Sequence, residues 1–103
     1  MIIYNTTYHV AETREEEFIQ WLRSEYIPRA IAGGELSSPQ LTLVMSNEPD
    51  RQGNSYSLQF HAPSVEALEI WYRKTGIALV KEIESTFSQH VMGFSTLMQK
   101  LDL

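Results

Sequence analysis

No cysteine occurs among the 103 residues, which excludes a disulfide framework, a thiolate metal site and a cysteine nucleophile. Basic residues are few. Eight of them (Arg14, Arg23, Arg29, Arg51, Arg73, Lys74, Lys81 and Lys100) are scattered against thirteen acidic ones, for a net charge of −5. Such a chain has no stripe to neutralise phosphates, so nucleic acid is not an expected partner. Long apolar runs are missing too. The opening Met1-Ile2-Ile3-Tyr4 has no basic flank and gives way at once to Asn5-Thr6-Thr7, so neither a signal peptide nor a membrane span is expected, and the cytoplasm is the expected location. The sequence also lacks low-complexity tracts, evident repeats, and any phosphate-cradling glycine loop or dinucleotide fingerprint.

What is present is ordinary globular material, 43% hydrophobic and 20% charged. At this length a chain forms one domain, here residues 1–103, and buries roughly 65% of its unfolded surface, enough for a two-layer core. The cleanest pattern is Ser-Tyr-Ser-Leu-Gln-Phe-His at residues 55–61. Tyr56, Leu58 and Phe60 alternate with Ser55, Ser57, Gln59 and His61, which predicts a central strand with one apolar and one polar face. Residues 2–10 predict a first strand whose core side carries Ile2, Tyr4, Thr6, Tyr8 and Val10. A capping box of Thr13 and Glu16 then predicts a helix with Thr13 as N-cap and an apolar stripe of Phe18, Trp21, Leu22, Tyr26 and Ala30. Pro28 predicts a kink and Gly33-Gly34 a C-cap.

Alternation over residues 41–46 predicts the second strand, and the polar residues 47–54 a mobile loop. Ser64 is the expected N-cap of the second helix, with Val65, Leu68, Trp71, Tyr72 and Thr75 inward. Arg73-Lys74-Thr75-Gly76 looks like a helix end, yet Ala78, Leu79, Ile83 and Phe87 resume the period. A break near Gly76 is expected, with one continuous helix as the alternative. A last strand begins at Val91.

This βαββαβ order predicts an α+β ferredoxin-like sandwich: a four-stranded antiparallel sheet in the order 4-1-3-2, with both helices on one face. In the last strand Met92, Phe94, Thr96 and Met98 on one parity, and Val91, Gly93, Ser95 and Leu97 on the other, are both largely apolar, leaving open which faces the helices. An uncovered apolar sheet surface predicts a homodimer packed sheet against sheet.

The polar row Asn5, Thr7, His9, Ser57, Gln59 and His61 is uncharged and rich in hydrogen-bonding groups, which suits a ligand surface. Trp71, with Trp21, Tyr26 and Tyr72, is a candidate aromatic lining, although such residues at helical spacing usually form core. His9 and His61 would stand on the order of 20 Å apart at ~3.3 Å per residue. With no His-x-x-x-His or Glu-x-x-His pattern, no metal and no cofactor are expected. His90 fits a structural role at a helix end. His9 alone could act as a general base, its ordinary titration lying near neutrality. An RNA-recognition domain shares this element order, but Ser55 and Ser57 stand where its stacking rings would be needed.

The whole chain resembles a family of short bacterial proteins of unknown function. The likeness rests on Met1-Ile2-Ile3-Tyr4-Asn5-Thr6-Thr7-Tyr8-His9-Val10, Trp21-Leu22 with Tyr26-Ile27-Pro28, Tyr56-Ser57-Leu58-Gln59-Phe60 and Gly93-Phe94-Ser95-Thr96-Leu97-Met98. From Ser64 onward the chain is also similar to the dimeric α+β barrel superfamily, which includes cofactor-independent monooxygenases, haem-degrading enzymes and small-molecule isomerases. The leading expectation is a homodimer that binds a small ligand or a protein partner at the sheet face. The alternative that the second resemblance implies is a cofactor-independent monooxygenase or isomerase with His9 as base and Trp21, Trp71 or Tyr72 shaping its pocket.

Overall fold

A computed structural model of the chain describes residues 1–45 and 53–103. Its elements are β1 (Ile2–Ala11), α1 (Glu15–Trp21), α2 (Ile27–Ile31), β2 (Ser37–Leu43), β3 (Gly53–Ala62), α3 (Val65–Trp71), α4 (Ile77–Phe87) and β4 (Val91–Gln99). All strand pairs are antiparallel, in the order β2-β3-β1-β4, which is the expected order read from the other edge. The expected loop lies outside the described residues except for Gly53 and Asn54, which belong to β3.

Alternation does most of the work. Phe60, Leu58 and Tyr56 of β3 sit opposite Tyr4, Thr6 and Tyr8 of β1, and cross-strand partners share a face. These side chains meet Phe18, Leu22, Tyr26 and Ala30 from the first helical layer and Leu68, Trp71, Leu79, Ile83 and Phe87 from the second. On β4, Val91, Gly93, Ser95 and Leu97 pair with Val10, Tyr8, Thr6 and Tyr4. That parity therefore faces the helices. Met92, Phe94, Thr96 and Met98 lie on the helix-free face.

Each helical layer is one rod with a wide turn in its middle. Leu22–Tyr26 joins α1 to α2 and Tyr72–Gly76 joins α3 to α4, with Ile27 N–H bonding the Leu22 carbonyl and Ile77 N–H the Tyr72 carbonyl, five residues back. Such π-turns insert one residue into the helix. In the first rod the insertion falls just before Pro28, where a kink is expected from the sequence. It restarts the hydrogen-bond frame so that Pro28 falls in the first turn of α2, where its missing N–H is not needed. Ser24 Oγ donates to the Gln20 carbonyl at 2.8 Å within the disturbed turn.

In the second rod the helix runs on through Gly76, so the expected break is absent and the alternative of one continuous helix holds. Gly76 is helical (φ −62°, ψ −42°), and its lack of a side chain serves packing: an added Cβ would stand 2.7 Å from the Trp71 ring. The two rods repeat one pattern fifty positions apart, Trp21-x-Arg23-x-x-x-Ile27 and Trp71-x-Arg73-x-x-x-Ile77, with the wide turn at the same place in each. An internal repeat is thus present after all.

Ser64 caps α3 as expected, its Oγ accepting from Ala67 N–H at 3.1 Å. Thr13 does not cap α1. The chain leaves β1 directly into a tight turn at Glu12–Arg14, and α1 starts after Arg14 without a side-chain cap. Arg14 holds that corner instead, donating to Glu17 at 2.9 and 3.1 Å and to the Thr86 carbonyl at 3.0 Å. Gly34 closes the first rod with φ +84°, its N–H bonding the Ile31 carbonyl at 3.2 Å. The second strand starts earlier than expected. Ser-Ser-Pro resembles a turn, but on an edge strand with an irregularity between Ser37 and Gln40 a proline removes no ladder bond.

Gly53 opens β3 with φ +154°, and an added Cβ would be driven into the Val10 carbonyl oxygen. Gly53→Ala is expected to cost about 1–3 kcal/mol from backbone strain alone, more once the clash is relieved by moving β1. Gly34→Ala meets nothing within 4 Å and should cost clearly less. Urea denaturation of the two variants checks this order, which fails if Gly34→Ala is the more damaging.

Candidate functional site

On the helix-free face, Asn5, Thr7 and His9 of β1 stand opposite Gln59, Ser57 and Ser55 of β3. Five of these side chains bond one another. Asn5 Nδ2 donates to Thr7 Oγ1 at 3.2 Å, Ser57 Oγ donates to Asn5 Oδ1, and His9 Nδ1 lies 3.2 Å from Ser55 Oγ. Asn5 is buried on this account, a polar side chain with both ends of its amide used. His61 pairs with Ile3, six positions along the strand from Ser55, or about 20 Å at ~3.3 Å per residue. The two histidines do not converge. Among the described residues no three His, Asp or Glu side chains gather as metal ligands. Beside the polar row run Met92, Phe94 and Met98 of β4, at 70%, 66% and 38% exposure.

Of the expected ligand residues, Trp71 alone faces the other side of the sheet. There a cleft of about 640 Å³ opens between the second rod and the sheet, lined by Tyr4, Val65, Leu68, Trp71, Tyr72 and Leu97, among others. Leu97 is 52% exposed although it points to the helix side. Trp71 is fixed from two directions. Its Nε1 donates to the Ala30 carbonyl at 2.8 Å, and its ring meets Tyr4 edge-on with centroids 5.6 Å apart. At the rim, Glu69 and Arg73 form a loose, exposed ion pair at 3.8 Å. His9 lies across the sheet from this cleft.

A second, smaller cavity of about 220 Å³ lies further along the same strands, and Tyr4, Val80 and Ser95 line both. Its lining includes five hydroxyl side chains, Tyr4, Thr6, Tyr8, Tyr26 and Ser95. Thr6 Oγ1 lies 3.0 Å from Ser95 Oγ, and Ser95 Oγ donates to Tyr4 OH at 3.4 Å. Burial pushes the Tyr8 and Tyr26 hydroxyls far above the usual phenol range, so both stay protonated. Gly93 pairs with Tyr8, and an added Cβ there would come within 2.9 Å of the Tyr8 ring.

Of the four aromatics singled out from the sequence, Trp71 and Tyr72 line the cleft and Tyr26 the inner cavity, while Trp21 packs with Phe18, Tyr26 and Phe87. His90 has the structural place expected of it, its Nδ1 lying 3.1 Å from the Phe87 carbonyl. Tyr4, Ser95 and Leu97 were not singled out. The signal for them was the small pair Gly93 and Ser95 on the parity opposite Tyr8 and Thr6, since small side chains beneath a helical layer leave space.

The family model described as a domain of unknown function (DUF4286) matches residues 1–101. No curated protein matches. Among solved structures, an ethyl tert-butyl ether D (EthD) family protein from Bacillus halodurans C-125 has a TM-score of 0.72 at 11% identity, covering 98% of this chain and 100% of its own. A candidate antibiotic biosynthesis monooxygenase from Deinococcus radiodurans has a TM-score of 0.70 at 13% identity, covering 100% of this chain and 95% of its own. At such identities the likeness is one of fold, and the fold is the ferredoxin-like α+β sandwich. No helix among the described residues is long and apolar enough to cross a membrane.

Proposed function

The chain belongs to the DUF4286 family, and from that membership and the geometry above we propose that it works as a homodimer holding a small, largely apolar ligand in the cleft between α3, α4 and β4. The observation that carries the ligand is the cleft itself. Its volume lies within the ~300–1,000 Å³ of ordinary small-molecule sites, its walls are mostly aromatic and aliphatic, and its floor residue Trp71 is held rigidly before any ligand arrives.

What supports the dimer is the helix-free face, where Met92, Phe94 and Met98 are exposed together. Asn5, Thr7, His9, Gln59 and His61 would then lie at the contact between sheets and set its register.

The cleft is tested with 2-naphthol, a neutral fluorescent ring compound. Binding is expected to quench tryptophan emission, and Leu97→Trp, which fills the cleft from its exposed wall, should weaken it tenfold or more. Equal affinity of wild type and Leu97→Trp would remove the cleft as the site.

A further inference from the structure

We propose that the inner cavity receives an uncharged oxygen function, so that the ligand class is a ring compound bearing a phenolic hydroxyl or a ketone rather than a carboxylate, phosphate or amine. This rests on the cleft as the ligand's seat. At about 220 Å³ the inner cavity is too small for a whole ligand, whereas the adjoining cleft of about 640 Å³ is not. Because Tyr4, Val80 and Ser95 wall both, a molecule lying in the cleft can put one end into the recess.

The recess decides which end. Five hydroxyl side chains line it, and a hydroxyl both donates and accepts. Thr6, Ser95 and Tyr4 bond one another in turn, and a ketone or a phenol can exchange hydrogen bonds with such a lining without bringing in a charge. The lining does not meet a charge. No Lys, Arg or His lines the recess, and the one ionisable carboxyl among its walls is Glu84, which repels an anion. A carboxylate or phosphate entering would lose its water with no cation to replace it. Glu84 is exposed and its field is screened by solvent, so it offers little to an ammonium group drawn inward. Tyr8 and Tyr26, almost fully buried, keep their protons and hydrogen-bond each other, so the recess carries no phenolate of its own.

Gly93 completes the recess. It lies across from Tyr8 on the neighbouring strand, and any side chain there would press on the Tyr8 ring. The chain thus leaves the wall bare where the head of the ligand would sit.

The experiment compares 2-naphthol with 2-naphthoate at pH 7, one ring system with an uncharged and an anionic head, by titration calorimetry on the full chain. Wild type is expected to prefer 2-naphthol at least tenfold. Tyr8→Phe combined with Tyr26→Phe should shrink that preference to within threefold. Ser95→Ala, at an exposed strand position where folding is not at stake, should reduce 2-naphthol affinity several-fold and leave 2-naphthoate unchanged. Equal or tighter binding of 2-naphthoate, with both probes lost in Leu97→Trp, overturns the head-group assignment and leaves the cleft standing. A preference that survives unaltered in the tyrosine pair and in Ser95→Ala overturns it as well. Binding of neither probe overturns the assignment together with the cleft.

Discussion

Trp71→Ala is expected to lower the unfolding free energy by about 3–5 kcal/mol, a large share of the ~5–15 kcal/mol that a domain of this size commands. The indole is 1% exposed and ties three elements together. Its ring lies under Tyr4 of β1 and against Gly76 of its own rod. Its Nε1–H reaches across to the Ala30 carbonyl at 2.8 Å. That carbonyl lies in the last turn of α2, where helices run out of internal donors, so the second rod caps the first.

Trp71→Phe separates the two contributions. It keeps most of the apolar volume and loses only the hydrogen bond, leaving a buried carbonyl unpaired at about 1–3 kcal/mol. Urea denaturation with an unchanged m-value checks both variants. A loss below 1 kcal/mol for Trp71→Ala would mean that the rods are fixed to the sheet by other contacts.

Period-two alternation made the sheet legible. In β1 and β3 a single parity carries the core, and a one-residue slip would turn Leu58 and Phe60 to the wrong side. The Ser64 cap was legible for a similar reason, since a hydroxyl before an apolar stripe has one use there. The helices misled where a local signal had two physical solutions. Pro28 can kink a helix or be absorbed by a wide turn, and Gly76 can end a helix or make room for an indole. At Gly76 the choice depends on the Trp71 ring packed against it, a contact that period and composition do not show. Thr13 and Glu16 satisfied the capping pattern, but Arg14 reached Thr86, seventy-two positions away, and no local window contains that partner.

The candidate site was legible in part. Trp71 was picked out by its residue type. The cleft around it depends on how the second rod sits over the sheet, leaving Leu97 of β4 half exposed on the helix side, and no motif encodes that. The expected polar row does share one face, and the structure adds that it binds to itself, with Asn5 between Thr7 and Ser57. Part of it is therefore already hydrogen-bonded, beside the apolar side chains of β4.

Phe94→Glu follows from that arrangement and should convert the proposed dimer to a monomer. Light scattering is expected to give twice 11.9 kDa for the wild type and 11.9 kDa for the variant. Phe94 is 66% exposed between Met92 and Thr96 and pairs with Thr7, at the seam where the apolar strip of β4 meets the polar row. In a sheet-on-sheet contact it would supply the central aromatic anchor, the kind of residue on which interfaces depend most. A carboxylate in its place must either keep its water and hold the sheets apart, or lose it against an uncharged surface. Either course costs several kcal/mol, and each 1.4 kcal/mol weakens association tenfold, so dissociation should be complete at micromolar concentration. Phe94 also belongs to the lining of the inner cavity, so the readout of this variant is its mass in solution and not its ligand affinity. A wild-type chain that scatters as 11.9 kDa, or a Phe94→Glu chain that remains a dimer, would show that the contact, if any, lies on another surface, and the exposed strip of β4 would need a different partner.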